Sequence, residues 1–139
     1  MFKHYQIRAI YPLVGTVISL AFFVFYRNIG FNKIISSTIT TLGLIIWWTA
    51  TITLKTSFSL IPKASGIIQN GIYSKIRHPV YVGLLITNIG WIILTRSVPV
   101  ILLVIGITLS SIIRMLLEEK KLIKTFGEKY ITYKKQTWF

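Results

Sequence analysis

Four stretches of this chain, residues 9–26, 34–54, 79–95 and 97–113, contain no Asp, Glu, Lys, Arg or His. They are 18, 21, 17 and 17 residues long. As helices, the shortest of them rise about 26 Å, close to the hydrocarbon thickness of a bilayer once their ends reach the headgroups. A soluble fold of 139 residues keeps too much surface to hide a chain that is 53% hydrophobic, so the solvent around these runs is lipid. The expected architecture is all-α and polytopic, with about four transmembrane helices in one domain over residues 1–139. Helices are expected at about 9–26, 34–54, 79–95 and 97–126. Pro79 and Pro99 fall at helix starts, where a missing N–H is harmless, and Gly127 marks the end of the fourth helix. Before that end the fourth helix leaves the membrane and continues along its cytoplasmic surface. The first run lacks a small-residue cleavage pattern and reads as a span, not a cleaved leader.

Charge orients this arrangement. Of the sixteen Lys and Arg, only Arg27, Lys33 and Arg96 lie in the turns after the first and third runs. The other thirteen flank the opposite ends, which places both termini and the loop before Pro79 in the cytoplasm. A net charge of +13 normally raises nucleic acid as a partner, but this distribution has a membrane explanation and argues against it. Without Cys, thiol nucleophiles and disulfides are excluded. His-x-x-x-His and Glu-x-x-His pairs are absent too, and no metal is expected. Small residues at Gly15 and Ser19, Ser36 and Thr40, and Gly106 and Ser110 stand at helix-packing spacing.

Chemistry is confined to two segments on the cytoplasmic face, because the opposite turns are too short to build a site. The first, Gly71 to Gly83, brings Tyr73, Lys75, Arg77, His78 and Tyr81 to the mouth of the third helix. Arginine grips a carboxylate with two parallel hydrogen bonds and histidine donates beside it; the competing account is a basic flank meeting lipid phosphates. The second segment runs from Arg114 to Tyr133 and holds all three acidic residues of the chain, Glu118, Glu119 and Glu128. Arg114 and Glu118 are four apart and share a helix face, as an ordinary ion pair would, while Glu119 points about 100° away. Two adjacent carboxylates where an apolar helix leaves lipid are expensive, which favours a functional role.

Together the segments resemble the isoprenylcysteine carboxyl methyltransferase family and its phospholipid methyltransferase relatives. The pattern Gly-x-Tyr-x-x-x-Arg-His-Pro-x-Tyr-x-Gly is met at Gly71, Tyr73, Arg77, His78, Pro79, Tyr81 and Gly83. The pattern Arg-x-x-x-Glu-Glu-x-x-Leu, then Phe-Gly-Glu-x-Tyr-x-x-Tyr, is met at Arg114, Glu118, Glu119, Leu122, Phe126, Gly127, Glu128, Tyr130 and Tyr133. The resemblance implies S-adenosylmethionine as methyl donor, with Tyr73, Arg77, His78, Pro79, Tyr81, Gly83, Glu119, Tyr130 and Tyr133 around it. It also implies Arg114 and Glu118 at the acceptor. A donor of this kind needs a cation for its carboxylate, a carboxylate for its ammonium, and aromatic contact for adenine, for which Tyr130, Tyr133 and Trp138 are candidates. The expected acceptor is a lipid or prenylated molecule, first of all an isoprenylcysteine carboxylate and alternatively the amine of an ethanolamine phospholipid. A nicotinamide-dependent membrane reductase and a non-catalytic membrane scaffold are the competing classes.

Overall fold

Apolar runs fold as helices in lipid because only internal hydrogen bonding satisfies the backbone there. In the computed structural model, residues 13–21, 24, 30–58, 67–95 and 97–138 are described, the side chains at 30–32 and 55–58 excepted. Expectations resting on Lys3, Arg8, Arg27, Lys63 and Arg96 fall outside them. Among the described residues the regular structure is all helical, with no strand. Helix α1 covers residues 13–21, α2 Gly30–Phe58, α3 Pro79–Leu94, α4 Val98–Phe126 and α5 Glu128–Gln136, with a 3₁₀ turn at Gly71–Ser74 before α3. Both prolines sit in the first helical positions of α3 and α4. Gly127 ends α4 with a φ of +51°, and its N–H closes on the Ile123 carbonyl at 2.9 Å.

One expectation needs correction. Helix α2 extends past both ends of its uncharged run, since a lysine limits the apolar stretch but not the helical hydrogen bonding. Among the described residues, two helices, Lys33–Leu54 and Val98–Phe126, are long and apolar enough to cross a membrane, and part of the first expected span, 9–26, lies outside those residues. Helix α3 has 16 residues and is shorter than a usual span by a few of them.

The core is the contact of α2 with α3, and small residues make it close. A Cβ on Gly83 would stand 2.7 Å from the Trp47 amide nitrogen, and one on Gly43 would stand 2.5 Å from that of Thr87. Ser36 Oγ donates across the interface to the Gly90 carbonyl at 2.7 Å and so ties the pair together. On the other side of α2, Gly15 lies under the Trp47 ring and the Trp48 indole N–H donates to Thr16 Oγ1 at 3.0 Å. The contact of α3 with α4 is lighter, tied by Asn88 Nδ2 donating to Thr108 Oγ1 at 2.8 Å. Most of α4 presents its apolar surface outward, including Leu102, Leu103, Leu109, Ile113 and Leu117. Gly106 has open space where its side chain would be, so the expected Gly106–Ser110 packing pair has no partner helix among the described residues.

Candidate functional site

The site forms where the chain leaves the apolar layer and turns back on itself. Gly71 takes a φ of +57° to open the 3₁₀ turn, which buries Tyr73 and delivers Lys75 to His78 in non-helical form to the start of α3. The His78 carbonyl then accepts the N–H groups of Tyr81 and Val82 at 3.0 and 3.1 Å, which fixes Arg77 and His78 at the helix mouth. Helix α4 runs on past the apolar layer, carrying Glu118 and Glu119, and Gly127 redirects the chain into α5. On α5, Tyr130, Tyr133, Lys134 and Thr137 share one face by three- and four-residue spacing. Tyr130, Tyr133 and Thr137 are buried.

Two bonds of high sequence separation latch α5 to the 3₁₀ turn. The Tyr133 hydroxyl donates to the Tyr73 carbonyl at 2.6 Å, and the Trp138 N–H donates to the Lys75 carbonyl at 2.9 Å. Within this clasp Lys134 Nζ lies 2.7 Å and Arg77 Nη1 3.6 Å from Glu119 Oε1. The Tyr81 hydroxyl donates to Glu118 Oε2 at 3.0 Å, and the rings of His78 and Tyr81 meet edge-on with centroids 6.0 Å apart.

Five buried polar atoms converge here without a hydrogen bond among the described residues: Arg77 Nε and Nη1, His78 Nε2, the Tyr130 hydroxyl and Glu119 Oε1, whose contacts with Lys134 and Arg77 are ion pairs. Leaving such groups unpaired costs about 1–3 kcal/mol each, so their concentration in one place is the mark of a ligand site. Burial holds the His78 imidazole below its ordinary pKa, against the opposing pull of Glu118 and Glu119, which keeps it neutral at physiological pH. Burial likewise raises the Tyr130 phenol and pushes Tyr133 up to about 12, so both remain hydrogen-bond donors.

Of the residues expected in the site, Arg77, His78, Tyr81, Glu118, Glu119, Tyr130 and Tyr133 come together. Tyr73 contributes its carbonyl and Pro79 is buried at the start of α3. Gly83 packs against the α2 backbone at Trp47. Arg114 is exposed and makes no ion pair with Glu118 among the described residues, because Glu118 is turned to Tyr81 instead. Trp138 is 75% exposed and shields nothing. Lys134 was not singled out by sequence, where it is one of seven cations in a basic tail; its four-residue spacing from Tyr130 is the signal that separates it.

A family model, that of the phospholipid methyltransferases, matches residues 29–129. That stretch includes the α3 mouth and both adjacent glutamates and stops just before Tyr130. No curated protein matches the chain.

Proposed function

The chain belongs to the phospholipid methyltransferase family, and from that premise we propose that it methylates the amine head group of a lipid at the cytoplasmic face, with S-adenosylmethionine as donor. The observation that supports donor binding is the set of unpartnered buried atoms around Glu119. Arg77 offers unpartnered N–H donors on Nε and Nη1, a fixed cation to which a carboxylate can be drawn. Glu119 offers a carboxylate to an ammonium, and His78 Nε2 and the Tyr130 hydroxyl remain for the polar edges of an adenosine. Bound there, the donor supplies a methyl group on a positively charged sulfur.

The chain's own part is alignment, exclusion of water and handling of one proton. An amine acceptor arrives as an ammonium and must lose a proton before its nitrogen can attack. Glu118, fixed by the Tyr81 hydroxyl beside the donor cradle, is placed to take that proton. A carboxylate acceptor, such as an isoprenylcysteine, has no proton to give up and calls for a cation. The exposed guanidinium of Arg114, one turn from Glu118, favours that second reading.

The acceptor's apolar tail fits beside the open face of α4. This layout rests on four helices crossing the membrane with both termini cytoplasmic, as the distribution of thirteen cations against three requires. The chain has no Cys, so single cysteines report topology cleanly. Introduced at Asn32 and Ser65, they are expected to be labelled from opposite sides of sealed vesicles; labelling from one side overturns the arrangement.

Donor binding is checked by calorimetry on lipid-supplemented protein in detergent. S-adenosylhomocysteine is expected to bind and to compete with S-adenosylmethionine. A folded sample that ignores both and binds a nicotinamide nucleotide would identify a reductase instead.

A further inference from the structure

Lys134 is the closest cation to Glu119, at 2.7 Å, whereas Arg77 stands at 3.6 Å, beyond hydrogen-bonding range. Two cations thus compete for one carboxylate, in a site whose proposed ligand brings a primary ammonium of its own. Lys134 has the means to leave. Its side chain is 45% exposed, against 17% for Glu119 and 13% for Arg77, so the lysine head can return to water while the other two stay enclosed. Its backbone does not have to move with it, because α5 is held by Tyr133 on the Tyr73 carbonyl and by Trp138 on Lys75.

Resting on the donor-binding reading, we infer that Lys134 is a displaceable stand-in for the ligand's ammonium and thereby sets how tightly the site holds an amino-acid end. In the empty site it neutralises Glu119. An incoming amino-acid end replaces it, ammonium for ammonium, and Lys134 swings out to solvent. An adenosyl compound lacking that end cannot make the exchange: it finds Glu119 already paired and gains nothing there. Lys134 therefore lowers the affinity for true ligands somewhat, while Glu119 rewards only molecules that carry their own cation.

The test compares two probes on the full-length protein in lipid-supplemented detergent, S-adenosylhomocysteine and 5′-methylthioadenosine, which lacks the amino-acid end. Lys134→Met is expected to tighten S-adenosylhomocysteine binding about three- to tenfold, between the worth of an exposed ion pair and that of a charge-assisted hydrogen bond. Its affinity for 5′-methylthioadenosine should not change. Lys134→Arg should behave as the parent, and in a Glu119→Gln background Lys134→Met should have no further effect. Weaker S-adenosylhomocysteine binding in Lys134→Met would show that the lysine contacts the ligand directly or keeps Arg77 from closing on Glu119, and the inference falls. An unchanged affinity overturns it as well. Parent protein that binds neither probe sinks the donor-binding reading itself, which is a different outcome from a silent Lys134→Met in a protein that binds both.

Discussion

Gly90→Val will lose about 3 kcal/mol or more of stability, and much of the protein will fail to reach its folded form. The new Cβ would stand 2.9 Å from the Thr40 amide nitrogen and 3.0 Å from the Ser36 carbonyl oxygen, both backbone atoms of α2 that no rotamer change can move aside. Overpacking that can be relieved by side chains typically costs about 1–3 kcal/mol. Here relief requires the two helices to separate, which also breaks the Ser36 bond to the Gly90 carbonyl and lifts Gly83 off Trp47. In lipid, where apolar surface gains little by leaving its solvent, such close contact is the main source of helix association. Gly106→Val is the matched control: nothing among the described residues lies within 4 Å of its Cβ position, and stability should stay within about 0.5 kcal/mol of the parent. Thermal unfolding of both variants in the same detergent makes the comparison, and equal midpoints would mean that α2 and α3 do not pack through this seam.

The contrast between these glycines shows what the sequence could and could not reveal. Helix positions followed from the uncharged runs, and the end of α4 from Gly127, because both are local matters of periodicity and backbone freedom. Gly15, Ser36 and Gly106 look alike at small-residue spacing, yet among the described residues only the first two meet a neighbouring helix. Spacing says that a helix can be approached closely; which helix approaches is decided by the tertiary arrangement. The same limit applies to the site. Arg77, His78, Tyr81 and the adjacent glutamates were legible because their residue types carry chemistry. That Glu118 would turn to Tyr81, 37 residues away, and not to Arg114 one helical turn off, was not legible. An exposed ion pair on a helix is worth only about 0.3–0.5 kcal/mol and yields readily to a phenol at a half-buried position. Lys134 escaped notice for a related reason: in a tail of cations, only the geometry of α5 distinguishes the lysine facing inward.

Because Tyr81 holds Glu118 while Arg77 and Lys134 face Glu119, replacing each glutamate by glutamine is expected to disable a different step. In Glu119→Gln the carboxylate that receives the donor's ammonium is lost while shape and hydrogen-bonding capacity remain. Donor affinity should fall about ten- to hundredfold, the effect of about 1.5–3 kcal/mol for a contact to a charged group. In Glu118→Gln the amide oxygen still accepts the Tyr81 hydroxyl, so the α3–α4 contact and donor affinity should remain near those of the parent. What disappears is the proton acceptor. If the acceptor substrate is a lipid amine, transfer should drop about a hundredfold or more, as loss of a general base commonly does, and raising the pH should restore part of it by deprotonating the amine in advance. If the acceptor is a carboxylate, no proton has to leave, and Glu118→Gln should transfer at close to the parent rate. Arg114→Ala then gives the complementary answer, since only a carboxylate needs that guanidinium. The decisive measurement is transfer of labelled methyl from S-adenosylmethionine to an ethanolamine phospholipid and to a prenylated cysteine, run alongside donor binding for each variant. An Arg114→Ala protein that loses transfer while Glu118→Gln retains it would overturn the amine assignment and establish the carboxylate one.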